Sequence, residues 1–341
     1  MRTSSPEPFP GIPEVTVERG VPCRMRDGVT LYADVYRPAE GGPHPVLLMR
    51  TPYGKTTAES DVGYAHPSWY ARHGYVVVVQ DCRGRFASEG DFYPFLHEAE
   101  DGYDTVEWAA ALPGGDGQVA MYGFSYVGAT QLLAATLAPP SLVTICPGFT
   151  SAQYYEGWTF NQGAFALALA ASWALGLAAE TVRRAGDDEA LRILTDTSVG
   201  AQSAYWSLPL REHPVLARYA SYYLDWLEHA RYDDYWRRWS IDEDYGRIRV
   251  PALHVVGWWD EVYEIITAPA DFDKVKSALA AAQAPLLSAQ ITRLPQTTVP
   301  VSSPHAEQVL SIMNDLEDHD DVKEVYGNFE ISKEVMDRVR G

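Results

Sequence analysis

The chain has 341 residues, 46% of them hydrophobic, with a formal net charge of −19 at pH 7. That length and apolar fraction support two or three domains with a core of ordinary depth. The negative charge repels a phosphate backbone, and no stretch shows a basic patch with interleaved aromatics, which argues against a nucleic-acid-binding surface.

Three cysteines, Cys23, Cys82 and Cys146, form an odd set without CxxC spacing. This argues against both a disulfide framework and a zinc site and suits a reducing cytoplasm, so neither metal nor cofactor is expected. The opening "MRTSSPEPFPGIPEV" carries no apolar secretory core. The longest apolar run, Ala164 to Ala179, is shorter than the roughly 18 to 20 residues of a membrane span and reads as a buried helix.

In chain order, "VTVERGVPCRMRDGVTLYADVYRP" alternates apolar and polar residues around Asp27-Gly28, which predicts an antiparallel hairpin. "HPVLLMRTPYG" and "YVVVVQDCRGR" are apolar without alternation, as expected of strands covered on both faces, and a helical segment around Trp69 to His73 separates them. "HEAEDGYDTVEWAAALP" spaces Tyr103, Val106 and Ala110 at helical intervals behind an acidic first turn. "QVAMYGFSYVGATQLLAATLAP" reads as strand, sharp turn and helix. The alternation predicts an α/β doubly wound sheet.

The sharp turn holds the first candidate for chemistry. Gly123-Phe124-Ser125-Tyr126-Val127-Gly128 places a serine between an apolar strand and an Ala/Leu-rich helix, with glycine two positions before it. A nucleophile elbow needs that small residue at its tight bend. The second glycine stands three positions after the serine, so G-x-S-x-G is not met, and a plain serine helix cap is the alternative.

The series "RTPYGK", "VVVVQDCRGRFASEGDF", "EAEDGYDTVEWAAALPGGDGQVAMYGFSYVG" and "PALHVVGWWD" resembles, in order and spacing, the cocaine-esterase and Xaa-Pro dipeptidyl-peptidase (S15-like) branch of the α/β-hydrolases, over about residues 15–260. The resemblance implies that Ser125 is the nucleophile and Asp260 the acid that orients a histidine. It also implies that the Tyr53 hydroxyl and the Tyr126 backbone N–H form the oxyanion hole. Residue chemistry agrees, because a tetrahedral oxyanion needs donors fixed where its charge develops, and a carboxylate at the end of a buried strand lies at the rim of the sheet. Taken singly, Tyr53 also reads as a surface aromatic and Asp260 as a turn residue.

Between the elbow and Asp260, about 100 residues read as helical and rich in aromatics, and the resemblance implies a helical cap. The expected divisions are hydrolase core at 1–150, cap at 151–246, core strand with acid at 247–262, and a further segment at 263–341. That last segment reads as β, α, β, β, α, β, an α+β ferredoxin-like order. Its strings "PADFDKVKSAL", "LPQTTVPV" and "LEDHDDVKEVYGNFEI" resemble the carboxyl-terminal region of the YebC/PmpR regulatory family, over about residues 261–341.

The join near Asp260 to Tyr263 directly follows a buried strand without a Gly/Pro/Ser spacer, whereas natural domains usually meet through exposed linkers. Gene fusion, an assembly join and deliberate fusion all produce such a chain. S15-type hydrolases continue past the acid to a catalytic histidine and a β-sandwich. Here the histidines beyond Asp260 are His305, a weak candidate for the base, and His319. The expectation is a serine acyl hydrolase by lineage, acting on a small-molecule ester or peptide, with impaired turnover. The alternatives are a YebC-like regulatory fragment that contacts nucleic acid or ribosome through residues 261–341, or a fused chain without activity.

Overall fold

A computed structural model describes residues 14–60, 64–195, 208–259 and 262–266, with residues 274, 276–277, 299–300 and 329–330 beyond them. The chain divides into two compact units, Met1–Ile266 and Thr267–Gly341.

The first unit opens with the expected hairpin, β1 (Val15–Arg24) and β2 (Thr30–Pro38), paired antiparallel. Its turn is set by Asp27-Gly28. The Asp27 carboxylate accepts the Val29 N–H at 3.1 Å, and Gly28 takes a φ of 93°, which its missing side chain permits. β3 (His44–Thr51), β4 (Val76–Asp81), β5 (Gly115–Phe124) and β6 (Leu142–Gly148) follow, with α1 (Pro67–Arg72), α2 (Glu98–Ala110) and α3 (Tyr126–Thr136) between them.

A two-residue hairpin, β7 (Phe160–Asn161) with β8 (Ala164–Phe165), precedes α4 (Leu167–Ala185) and α5 (Asp188–Thr195). β9 (His254–Trp259) and β10 (Val262–Ile266) complete an eight-stranded sheet in the order β1-β2-β4-β3-β5-β6-β9-β10. The run β4-β3-β5-β6-β9 is parallel, and both flanks are antiparallel.

Unbroken apolar runs at β3 and β4 follow from coverage on both faces. Val46, Leu48, Val76 and Val78 join a cluster with Val106 and Ala109 of α2 and Ala129, Leu132 and Leu133 of α3. Their neighbours Met49, Val77 and Val79 point the other way, into a cluster with Ala71 of α1. Alternation of Cβ directions along each strand therefore feeds two hydrophobic layers from one continuous run. The fold is of the α/β class.

α4 contains most of the longest apolar run, whose first two residues, Ala164 and Phe165, form β8 instead. Ala170, Ala171, Ala174, Leu177, Ala178 and Val182 are buried along one stripe, while Leu169 is 49% exposed. The run is therefore the buried side of an amphipathic helix, and among the described residues no helix is long and apolar enough to cross a membrane. Short helices at Leu216–Tyr219, Ser221–Glu228 and Asp234–Arg237 bring further aromatics against α4, including Trp226 stacked on Trp173 at 5.8 Å.

Val262–Ile266, read from sequence as the first strand of the second segment, pairs antiparallel with β9 and forms the edge of the hydrolase sheet. Val262 pairs with Trp259, so the returning chain adds to the open edge of β9. In the second unit, Val299–Pro300 pairs parallel with Phe329–Glu330, at positions the sequence assigned to strands. Residues 274 and 276–277, within the expected first helix, are helical, and the rest of the expected ferredoxin-like order lies outside the described residues.

Candidate active site

Ser125 stands between β5 and α3 with φ 58° and ψ −124°. A side-chain-bearing residue rarely adopts such a backbone, and holding it there costs about 1 to 3 kcal/mol. The neighbours enforce it. Ser125 donates its N–H to the Gly148 carbonyl at 2.9 Å, and its own carbonyl accepts the N–H groups of Gly128 and Ala129 at 2.8 and 3.0 Å. The Phe124 N–H is held by the Tyr64 hydroxyl.

The two glycines serve different packing purposes. A Cβ on Gly123 would sit 2.1 Å from Val127 Cγ1, and one on Gly128 would meet the Thr150 side chain at 2.9 Å and the Gly148 carbonyl at 3.0 Å. Val127 thus occupies the space over Gly123, and the second close approach, to the end of β6, falls one residue later, at Gly128. The departure from G-x-S-x-G leaves the elbow intact.

Ser125 is half-buried and lines a cleft of about 90 Å³ with Met49, Thr51, Tyr53, Phe124 and Val127. The Tyr53 phenol lines the same cleft as Ser125, close enough for the serine side chain to act on its ionisation. Trp173 of α4 donates its indole N–H to the Tyr53 oxygen at 3.1 Å. Burial raises the Tyr53 pKa above its ordinary value, against the opposing hydrogen bond from Trp173 and the influence of the nearby Ser125 side chain. The phenol is therefore protonated at neutral pH. The indole takes one acceptor position of the oxygen, and the phenol keeps a proton to donate.

Tyr126 is fully buried. Its hydroxyl donates to Glu98 Oε1 at 2.8 Å and accepts the Phe95 N–H at 3.0 Å. Burial, reinforced by the Glu98 charge, holds that phenol well above its usual pKa. Glu98 Oε2 in turn accepts from the buried Arg50 guanidinium at 2.6 Å. Burial disfavours the Arg50 charge, but Glu98 and Asp101 more than offset this, and its pKa lies above the ordinary value. Arg50 ends three residues before Tyr53, so the same buried cluster underlies both proposed oxyanion donors. The sequence motifs did not single out Arg50, Glu98 or Trp173.

Asp260 directly follows β9 and lies outside the described residues, as do His305 and His319. β9 neighbours β6, which neighbours the serine-bearing β5. Among the described residues no hydrogen bond joins Ser125 to a histidine, and no group of three or more His, Cys, Asp or Glu side chains is arranged to hold a metal.

A mostly parallel sheet with a strained serine at the turn from strand to helix defines an α/β-hydrolase fold. The X-Pro dipeptidyl-peptidase (S15 family) pattern matches residues 27–285, and the TACO1/YebC second and third domain matches residues 247–329. The cocaine esterase of Rhodococcus sp. (strain MB1 Bresler) is 36% identical over 257 residues, which cover 72% of this chain and 44% of that protein. A probable transcriptional regulatory protein of Geobacter sulfurreducens is 48% identical over 104 residues, 29% of this chain and 42% of that protein.

Among solved structures, a CocE/NonD family hydrolase from Staphylococcus aureus superposes with a TM-score of 0.52 at 25% identity, over 69% of this chain and 39% of that one. An alpha-amino acid ester hydrolase shares the fold, with a TM-score of 0.55 at 24% identity, over 75% of this chain and 46% of that one. The chain belongs to the X-Pro dipeptidyl-peptidase (S15) family and carries a YebC-like segment toward its carboxyl end. It spans less than half the length of the curated relatives it matches.

Proposed function

We propose that this chain carries the nucleophile and oxyanion-stabilising part of a serine acyl hydrolase. Ser125 attacks the carbonyl carbon of a small ester or an Xaa-Pro peptide. The Tyr53 hydroxyl and the Tyr126 backbone N–H donate to the oxygen on which negative charge develops, and Asp260, after β9, is the acid that orients a histidine. The observation that carries the reading is the strained Ser125 backbone at the strand–helix turn, with the protonated Tyr53 phenol lining the same cleft. A helix cap alone requires neither feature.

The same reading assigns residues 1–150 and 247–262 to the hydrolase core, 151–246 to a cap, and 263–341 to the YebC-like segment, whose opening residues up to Ile266 pair into the hydrolase sheet. The reading expects impaired turnover, because neither His305 nor His319 stands in the sequence setting of the family's catalytic histidine, and removing a triad member costs about 10⁴ to 10⁶ in rate. His305 is the weak candidate for the missing base. The thiols of Cys23, Cys82 and Cys146 are free, which supports a reducing, cytoplasmic location.

The test is hydrolysis of p-nitrophenyl esters by the purified chain, together with Ser125 labelling by a fluorophosphonate. Slow, Ser125-dependent reaction supports the reading. Turnover that survives Ser125→Ala overturns it.

A second reading rests on the match at residues 247–329. It places a regulatory contact with nucleic acid or ribosome in residues 261–341, although the charge of −19 opposes it. Salt-sensitive gel retardation or ribosome co-sedimentation by the whole chain supports it. Absence of both at low salt removes it.

A further inference from the structure

The loop after β4 carries a guanidinium that the proposed reaction does not use. Arg85 is 2% exposed, and among the described residues it makes no ion pair. A buried cation without a carboxylate is costly unless its donors are satisfied in another way. Arg85 directs them at two backbone carbonyls. Its Nε–H donates to Pro52 at 2.7 Å, and an Nη1–H donates to Leu177 at 2.8 Å. The ring of Phe92 lies 4.7 Å from its guanidinium carbon and that of Phe86 5.6 Å away, so aromatic faces, with the Glu180 charge acting at longer range, take the place of a paired carboxylate.

The two carbonyls are informative because of what adjoins them. Pro52 immediately precedes Tyr53. Leu177 lies about one turn of α4 beyond Trp173, whose indole N–H donates to the Tyr53 hydroxyl. One guanidinium therefore fixes the backbone at the base of the phenol and the helix that supplies the phenol's hydrogen-bond donor. These contacts span 33 and 92 positions of chain. A second arginine fastens the same helix to the same loop, because Arg184 donates to the Ser88 carbonyl at 2.9 Å. The positive charge of Arg85 also acts on the Tyr53 phenol in the sense that favours negative charge there.

We propose that Arg85 is a positioning residue for the oxyanion donor: by bridging the Pro52 and Leu177 carbonyls it holds the Tyr53–Trp173 pair in register beside Ser125. The geometry requires a planar fork that donates in two fixed directions at once. Lysine, a point charge on a flexible stem, supplies the charge without that fork. This inference rests on Tyr53 acting on the oxyanion, and the measurements below separate the two ideas.

The experiment uses the full chain with Arg85→Lys, Arg85→Gln and Trp173→Phe. The Trp173 indole ¹⁵N–¹H resonance, assigned by its loss in Trp173→Phe, reports the bond to Tyr53 whether or not the protein turns over. The second-order rate of Ser125 labelling by a fluorophosphonate reports the oxyanion donor. The proposal expects both Arg85 variants, folded by circular dichroism, to shift the indole resonance upfield and to slow labelling by about tenfold or more, within the effect of losing one oxyanion donor. Lysine should rescue neither readout. Trp173→Phe, which keeps a ring and leaves Arg85 in place, should slow labelling to a similar degree.

If an Arg85 variant folds with an unmoved indole resonance and an unchanged labelling rate, Arg85 is merely structural and the proposal falls. If the Arg85 variants do not fold, an unchanged labelling rate in Trp173→Phe overturns it equally. Should the indole resonance shift while Ser125 of the unaltered chain resists labelling altogether, the latch stands and the hydrolase reading fails.

Discussion

Val127 Cγ1 lies 2.1 Å from the place a Cβ on Gly123 would occupy. One side chain thus requires the absence of another across the serine elbow, and Gly123 adds a φ of 144°. Gly123→Ala should be destabilised by at least about 2 kcal/mol, through overpacking and backbone strain together. Urea unfolding checks this. The double variant Gly123→Ala with Val127→Ala should recover part of the loss, because it removes the clash and leaves the strain.

Ser125 itself holds a backbone that favours glycine, so stability and chemistry should oppose each other at this position. Ser125→Gly should unfold at higher urea than the parent, by up to about 1 kcal/mol, while fluorophosphonate labelling disappears. A midpoint below that of Ser125→Ala would contradict the strain.

Tyr53→Phe keeps the ring and removes the hydroxyl proposed to donate to the oxyanion. Labelling of Ser125 should slow by about 10² to 10³. The thermal midpoint should move little, since the lost hydroxyl leaves only the Trp173 indole N–H without its partner. A large fall in midpoint with an unchanged labelling rate would assign Tyr53 to the scaffold alone.

Breaking the buried Arg50–Glu98 pair should be among the most damaging single changes. Glu98→Gln leaves Arg50 with Asp101 at 3.9 Å as its nearest remaining carboxylate and weakens the acceptor of the Tyr126 hydroxyl. A loss of about 3 to 5 kcal/mol is expected in denaturant unfolding, the range for removing one partner of a buried pair.

Alkaline pH should weaken the fold through its buried phenols. Burial raises the pKa of Tyr53 and Tyr122 and holds those of Tyr126 and Tyr154 well above the ordinary value. Below the unfolded tyrosine value of about 10, both states keep these protons and the phenols add no pH dependence. Above it the unfolded chain releases protons that the folded chain retains, so stability falls as pH rises. Urea midpoints between pH 9 and 11 should decline steadily. A flat profile would mean that these phenols titrate alike in both states.

The serine, its two glycines and the hairpin turn at Asp27-Gly28 were legible because each obeys a local rule: a tight bend excludes a side chain, and a hairpin turn takes Asp-Gly. The layered sheet was legible for a related reason, since strands covered on both faces lose their alternation. Val262–Ile266 misled because a short β-branched run has the same signature in either of two neighbouring modules. Its pairing with β9 depends on which edge is open, and a sequence pattern does not encode that.

The sequence by itself determined that a serine elbow would stand at the rim of an α/β sheet, because steric limits at a bend and side-chain periodicity act over a few residues. Only the tertiary structure decided what holds the site. The Trp173 donor reaches Tyr53 across 120 positions, Arg85 reaches Leu177 across 92, and the Arg50–Glu98 pair closes across 48. Such partners meet through the approach of separate elements, and a tryptophan or arginine destined for the site has the same local pattern as one destined for the core.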